Sequence, residues 1–528
     1  MTAAPTAERV LVVGAGFAGL SAVRHLARQP VEVTIVDHHN FHTFQPLLYQ
    51  VATAGLEPAD VAYPVRAIFG REHNVVFRHG QARAVDLDAR TVDLDDGATL
   101  PYDALVVATG ATTGYFGVPG AARHALPLYT LADARRVRNR VLAALEAADA
   151  RPEDFDGGAV TFVVVGGGAT GVEMSGALVE LLDVSIRRDR LRIDTERTRV
   201  HLLEAGPRLL GGFETEAGAY ALATLQARGV DVRLGVSVAE VAVGGVRLGD
   251  GTSLGATVVV WAGGVTVDGT LAAGLTTGRG RGGRVTLEPD LSLPGHPEVF
   301  VVGDAGAVPW GPTRTEPTPQ VAQVAIQSGR HAAEQIGRRR QGSPTRPFAY
   351  RDKGLMATIG RHAAVAQLRR GPLLRGTLGW LAWLGLHLVY LVGFRNRIVV
   401  LINWFWRYLD WPSGPRLIVA DVDAESEEEA NAGPAPPAPR PASASTPASG
   451  RPGTTSTRAK SAKSTKAVKS AKAVKSAKAV KSAKAVKSTK AVKTARSAEV
   501  PSTPPRTDGR APADARRDDE ADRPQTGR

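Results

Sequence analysis

The feature that most constrains this chain is a repeat within it. The segment Arg9–Gly19, RVLVVGAGFAG, returns 152 residues later as Thr161–Gly171, TFVVVGGGATG. Each copy is followed by an apolar run that ends in an acid: VEVTIVD closes at Asp37 and TRVHLLE at Glu204. Each then finishes alike, DDGATLPYDALVVATG at Gly110 and GDGTSLGATVVVWAGG at Gly264. Three landmarks in the same order mean one structural plan used twice. The alternation of strand-like and helix-like stretches selects an α/β fold with parallel sheets.

Gly14, Gly16 and Gly19 form GxGxxG directly after the strand VLVV and at the start of a helix. The first glycine permits the turn, the second lets the backbone approach a pyrophosphate, and the third allows close helix–strand packing. The helix N-terminus then faces the anion. Alone, such a loop is also compatible with a glycine-rich turn in some other α/β protein; the strand, the helix and Asp37 together point to dinucleotide binding. Gly166, Gly168 and Gly171 repeat the pattern. A carboxylate at the end of the second strand accepts hydrogen bonds from ribose hydroxyls and repels a 2′-phosphate, so Glu204 favours NADH over NADPH. Arg208 nearby argues the other way and is outweighed. Glu204 lies 15 residues farther from its glycines than Asp37 does from its own, which assigns the charged stretch Asp183–Arg199 to a lengthened helix or loop. After Leu293 the pattern predicts a return to the first unit through PEVFVVGDAG (Pro297–Gly306). Thr318 and Pro319 then suit the N-cap and first position of a helix to about Arg340.

Two such units, the ATG ending Ala108–Gly110 and GDAG at Gly303–Gly306 resemble the two-dinucleotide-binding-domain flavoproteins, whose units are Rossmann-like. Within that superfamily three segments look like type II NADH dehydrogenases: FHTFQPLLYQVATAGL (Phe41–Leu56), the AQxAxQ run Ala322–Gln327, and a tryptophan-rich C-terminal region containing GFRNR (Gly393–Arg397). The resemblance covers about Arg9 to Val422. It implies FAD in the first unit and NADH as substrate in the second, with hydride passing from NADH to FAD and two electrons then reducing a membrane quinone (menaquinone or ubiquinone). By the same resemblance the FAD positions are Gly14, Gly16, Phe17, Ala18, Gly19, Asp37, Pro46, Thr53, Ala108, Thr109, Gly110, Gly303, Asp304, Gln320, Val321 and Ala322, with Asp304 at the flavin ribitol. The NADH positions are Gly166, Gly168, Ala169, Thr170, Gly171, Glu173, Glu204, Gly263 and Gly264.

Gln323 and Gln327 are four apart and share a helix face. Spacing alone would make them a solvated face; the resemblance makes them neutral donors to a quinone carbonyl. Glu173, in the first turn after the second glycine loop, suits the helix dipole without any chemistry. The resemblance places it near the nicotinamide and flavin, in proton transfer. His42 and His387 read as packing residues, and no metal-ligand spacing is present.

There are no cysteines, which excludes disulfides, thiolate metal sites and thiol redox chemistry. Disulfide reductases and sulfide:quinone reductases share the architecture but work through thiols. A surviving enzyme alternative is an NADH-dependent reductase of a ferredoxin- or rubredoxin-type carrier. The stretch Gly376–Phe394 runs 19 residues without a formal charge, and five of the seven tryptophans (Trp380, Trp383, Trp404, Trp406, Trp411) cluster between Leu373 and Ile418. Closely flanking arginines and the short second run Ile398–Phe405 favour an amphipathic pair lying in the headgroup region, with interfacial tryptophans, over a spanning helix. With no bundle of intramembrane ionisable residues, proton pumping is not expected.

From Ala424 to Arg528 there are 22 Lys or Arg against 11 Asp or Glu, which carries 11 of the 13 net positive charges. The six-residue repeat at Lys463–Val492 has lysine at every third position and almost no large apolar side chain, so it is expected to be disordered. It suits contact with anionic lipid headgroups or nucleic acid, and a tethering protein acting through this tail is the alternative from another class. Met1–Arg9 carries no signal-peptide pattern. The expected organisation is FAD domain at 1–112 and 295–345, a connecting segment at 113–157, NADH domain at 158–275, a return segment at 276–294, anchor at 346–423 and tail at 424–528. The enzyme is expected as a peripheral, monotopic homo-oligomer on the cytoplasmic face of the cell membrane.

Overall fold

A computed structural model of the chain describes residues 7–419 apart from 156–157, 268–270, 272–273, 276–277, 312–313 and 409–415. The basic tail, with its repeat Lys463–Val492, and Trp411 lie outside the described residues.

The two repeats fold as two sheets that share the same parallel order over four strands; the first also carries Ser292–Leu293 antiparallel at its edge. In the first, Glu8–Val13 lies between Val31–Asp37 and Ala104–Val107; Val75–His79 extends one side and His296–Val301 the other. In the second, Thr161–Val165 lies between Arg199–Glu204 and Val258–Trp261, with Val230–Leu234 and Leu126–Pro127 outermost. The central strands are buried on both faces, as continuous Val and Leu runs require. Each repeat also carries a three-stranded antiparallel sheet, Ala82–Asp86 with Thr91–Leu94 and Thr99–Pro101, and Val238–Ala242 with Gly245–Leu248 and Ser253–Gly255. The chain segments that leave the two repeats pair with each other, Thr112–Thr113 antiparallel to Val265–Thr266. The extra residues before Glu204 are a longer helix, Ala169–Arg187 against Phe17–Leu26, and an irregular stretch after it.

The helix over the first sheet spans Ala322–Arg340 with Val321 at its N-cap, three residues later than Thr318 and Pro319 predict. Thr318 is buried and otherwise engaged: its hydroxyl donates to Val308 O at 2.9 Å and its carbonyl accepts from Arg284 Nη1 at 2.8 Å.

The C-terminal region is an antiparallel sheet (Leu355–Gly360, Ala363–Gln367, Leu373–Arg375) followed by helices Gly376–Tyr390 and Phe394–Tyr408. Among the described residues no helix is long and apolar enough to cross a membrane. In the second helix Asn396, Val400 and Trp404 face inward at helical spacing, while Phe394, Ile398, Leu401, Ile402 and Phe405 are exposed. Asn396 fixes the helix start by donating to the carbonyls of Ala59, Asp60 and Ala62, each at 3.1 Å. The tryptophans depart from the interfacial expectation. Trp380, Trp383 and Trp404 are buried in the core, and Trp406 is the exposed one among those described. The exposed faces carry aliphatic and Phe side chains instead. The inward tryptophans have a task there: Trp404 Nε1 donates to Gln50 Oε1 at 2.9 Å, and Trp383 packs edge-on to Tyr49, so both hold the Phe41–Leu56 segment.

Candidate functional site

The two glycine loops are built alike. Gly14 and Gly166 have positive φ, 106° and 108°, which a side chain would strain. Gly14 N donates to Val36 O and Gly166 N to Leu203 O, both at 2.8 Å. The strand-end acids grip the loops in the same way: Asp37 Oδ2 accepts from Ala15 N at 2.6 Å and Glu204 Oε2 from Gly167 N at 2.5 Å. Their second oxygens accept from His39 N and Gly206 N. Each carboxylate is thus locked beside the N-terminus of the helix that follows its loop. A Cβ at Gly16 or Gly168 would meet nothing within 4 Å, so a pyrophosphate has open approach to both helix starts. Behind the first loop, buried His42 uses Nδ1 on Ala15 O at 2.9 Å, and burial lowers its pKa to about 4.

A cavity of about 660 Å³ opens from the first loop. It is lined by the expected Gly14, Gly16, Phe17, Ala18, Asp37, Pro46, Ala108, Thr109, Gly110, Gly303, Asp304, Gln320 and Ala322, and also by Thr170, Glu173 and Gly264 of the second repeat. Its size, the open space at Gly16 and the locked Asp37 fit an extended dinucleotide such as FAD. The helix Ala322–Arg340 presents Ala322 and Ala325, in its first turn, to the cavity. Burial raises the Asp304 carboxyl to about 6, opposed by the Arg284 charge. Gln320 Nε2 donates to Asp304 O at 3.1 Å and ties the two segments together.

Glu173 stands where the repeats meet. Its pKa is raised to about 8, first by burial, and the Thr358 N–H donating to Oε1 at 3.2 Å lowers it only in part. The nearby Trp383 indole N–H, which reaches no acceptor at hydrogen-bonding distance, also lowers it. The area Glu173 leaves exposed faces cavities rather than bulk water. At neutral pH the carboxyl is therefore mostly protonated.

Several expected positions lie outside the large cavity. Gly19 and Gly171 pack against their own loops. Thr53 is buried, its hydroxyl donating to Tyr49 O at 2.8 Å, and Val321 caps its helix. Gly166, Gly168, Ala169, Gly263 and Glu204 belong to the second loop and its surroundings. Gln323 and Gln327 do share a helix face, and both amides are engaged by main chain. Gln323 Nε2 donates to Gly354 O at 2.8 Å and its Oε1 accepts from Lys353 N at 3.1 Å. Gln327 brackets Arg351 through the carbonyl and the N–H, both at 2.9 Å.

The cavity is lined by Gln45 of the Phe41–Leu56 segment, and also by residues that sequence reasoning missed: Tyr129, Trp261, His38 and His39. Tyr129 is pushed up to about 12 by burial and by the Asp304 charge. Its position follows from the chain returning between the units, which no local motif signals. The absence of a metal-ligand pattern needs one correction. Asp37, His38 and His39 bring ligand atoms within 4.8 Å of one another, because consecutive residues turn together at the strand end. Both Asp37 oxygens are already held by backbone N–H groups.

Two like-built nucleotide loops, and a cavity that opens from the first and is also lined by residues of the second repeat, define a dinucleotide-dependent oxidoreductase. The family model for pyridine nucleotide-disulphide oxidoreductases matches residues 8–329, and that for the NDH2 C-terminal domain matches residues 353–410. The type II NADH:quinone oxidoreductase NdhA of Mycobacterium tuberculosis is 40% identical over 431 residues, covering 79% of this chain and 90% of that protein. The enzyme Ndh of the same organism is 38% identical over 436 residues, covering 80% and 92%. The structure of NDH2 from Plasmodium falciparum in complex with NADH shares the fold, with a TM-score of 0.69 at 17% identity, covering 78% of this chain and 99% of that one. The chain belongs to the type II NADH:quinone oxidoreductases. It is an FAD-dependent NADH dehydrogenase that reduces a quinone.

Proposed function

We propose that the first glycine loop with Asp37 holds FAD along the large cavity, and that the second loop with Glu204 holds NADH. The nicotinamide then enters past Thr170, Glu173 and Gly264. The observation that carries this reading is the shared cavity: residues of both repeats line it, and Glu173 is among them. When bound, FAD supplies the two-electron centre that accepts a hydride from NADH and passes two electrons to the quinone. The chain's own residues do the rest. Gly303, Asp304, Gln320, Ala322, Pro46 and Ala108–Gly110 line the cavity and would hold the cofactor, with Val321 capping the helix that presents Ala322 and Thr53 bracing the Phe41–Leu56 segment through Tyr49 O. Protonated Glu173 gives a proton to the reduced acceptor. Gln323 and Gln327 serve the acceptor side by fixing the Arg351–Gly354 main chain; a direct contact with quinone requires either amide to exchange that partner.

The test of the nucleotide assignment is Glu204→Ala. It should weaken NADH binding by about 1–3 kcal/mol, typical of a charge-assisted hydrogen bond, and relax discrimination against NADPH. FAD content should not change. Stopped-flow reduction of the flavin by each nucleotide reads both constants, and an unaltered preference would remove Glu204 from the site.

We also place the exposed apolar faces of Gly376–Tyr390 and Phe394–Tyr408 on an anionic membrane surface, at its cytoplasmic side. Leu378, Leu381, Leu386, Val389, Phe394, Ile398, Leu401, Ile402 and Phe405 are exposed there, and Arg369, Arg370, Arg375, Arg395 and Arg397 are exposed in the same region. Apolar side chains with flanking cations suit insertion at the acyl–headgroup boundary. Phe394→Asp together with Leu401→Asp should abolish co-flotation with anionic vesicles at high salt and leave flavin reduction by NADH at its normal rate. Undiminished flotation would shift the tether elsewhere.

A further inference from the structure

Beneath Glu173 lies a second cavity of about 20 Å³, space for a single water molecule. Besides Glu173 and Glu180, its polar lining includes Tyr49, Gln50, Thr358, Arg361, Trp380 and Trp383. Glu173 and Tyr49 line both this void and the large cavity, and of the two Glu173 is the one that carries an acid. Trp383 is only 1% exposed, and its Nε1–H is turned toward the Glu173 carboxyl with no acceptor at direct hydrogen-bonding distance. A buried donor beside a water-sized polar void is the situation in which a bound water is strongly held. The Gln50 amide is committed elsewhere, donating to Tyr49 Oη at 2.8 Å and accepting from Trp404 Nε1.

Glu180 stands two helical turns after Glu173 on the same helix face, across the void. It accepts from Arg228 Nη1 at 3.1 Å and from the Arg361 N–H, and its side chain is 25% exposed. It is therefore the lining carboxyl with a way out to water. The charged groups facing the void are Glu173, Glu180 and Arg361, with Arg228 behind Glu180.

The chemistry needs such an inlet. NADH delivers two electrons and one proton as hydride, whereas a quinol carries two protons more than the quinone. Each turnover therefore draws one proton from the medium. We propose that this void is a one-water proton relay through which Glu180 resupplies Glu173 from the aqueous side, an inference that rests on the reading of Glu173 as the proton donor. Glu173 gives its carboxylic proton to the acceptor, and the carboxylate takes a proton from the water positioned by Trp383. That water takes one from Glu180, which is reprotonated by solvent. At each step one O–H bond breaks as another forms, and no electrons move along the chain.

In the FAD-loaded full-length enzyme, Glu180→Gln should slow flavin reoxidation by a soluble quinone analogue about tenfold, a fraction of the effect of losing a general acid. The solvent deuterium isotope effect on that step should rise, while reduction by NADH should not change. Glu180→Asp should recover most of the rate. A second readout needs no turnover. The protonated-carboxyl infrared band of Glu173, identified by its loss in Glu173→Gln, should exchange in deuterated water more slowly in Glu180→Gln than in the parent. Trp383→Phe, which keeps the ring and removes the N–H, should show the same lag. Unchanged isotope effect and unchanged exchange in both variants would overturn the relay. A silent Glu173→Gln would instead remove the donor reading itself, so the two failures are distinguishable.

Discussion

A single methyl group at residue 19 should strip the protein of FAD, whereas the same methyl at residue 171 should leave FAD bound and abolish reduction by NADH. A Cβ at Gly19 would stand 1.8 Å from Gly14 O, and one at Gly171 would stand 1.8 Å from Gly166 O. In both cases the obstacle is backbone, not the end of a flexible side chain. Neither loop has room to retreat. Gly14 and Gly166 are tied to the adjacent strands through Val36 O and Leu203 O, and Asp37 and Glu204 hold the next N–H. Overpacking of this kind costs about 1–3 kcal/mol when side chains can yield, and more is expected where they cannot. The strain falls on the loop that presents N–H groups to the pyrophosphate, so the loss should appear as ligand binding before it appears as unfolding. The measurements are the flavin-to-protein ratio after purification of Gly19→Ala, and flavin bleaching by NADH in Gly171→Ala. A full complement of FAD in the first, or bleaching at the parent rate in the second, would contradict the assignment of the two loops.

That experiment is possible because so much of the fold was legible. The repeat at Arg9–Gly19 and Thr161–Gly171 is backed by two sheets that share a four-strand parallel order, and the positive φ of Gly14 and Gly166 differs by only 2°. Such features are local: a strand, a turn that only glycine adopts and an acid at a strand end all leave marks within one unit. What was not legible depends on which residue a side chain meets across the fold. Trp383 and Trp404 have the composition of interfacial residues but face inward, because the Phe41–Leu56 segment supplies a ring and an amide for them. Gln323 and Gln327 have the spacing of a solvated or ligand-binding face, yet meet the main chain of Arg351–Gly354. Thr318 and Pro319 read as a helix start, and Thr318 is instead drawn into contacts with Val308 and Arg284. Tyr129 lies far in sequence from both motifs and carries no pattern of its own.

The acid that joins the two halves gives the second large effect. With its folded-state pKa at about 8, against an ordinary 4.5, Glu173 is a protonated carboxylic acid at neutral pH beside the space for the cofactors. A donor in that state should sustain reoxidation of the flavin by quinone up to about pH 8 and lose it above, as the proton is no longer held. Glu173→Gln keeps the size and the hydrogen bond from Thr358 but has no proton to give. It should slow reoxidation about 10²-fold, the lower range for loss of a general acid, and flatten the fall in rate around pH 8. Reduction by NADH should remain near normal, since hydride transfer needs no proton from this group. Stability supplies an independent check with a fixed sign. Because the folded pKa is raised, the folded chain binds one more proton than the unfolded chain between about pH 4.5 and about pH 8. The stability due to this group is full below about 4.5 and is lost as pH rises through about 8, where a buried carboxylate has formed. Glu173→Gln should therefore lose less stability than the parent as the pH is raised from 5 to 9 (both about), measured by denaturant unfolding monitored by tryptophan fluorescence. Parallel stability curves for the two proteins would mean that Glu173 is ionised throughout, and the proton would then have to come from another group.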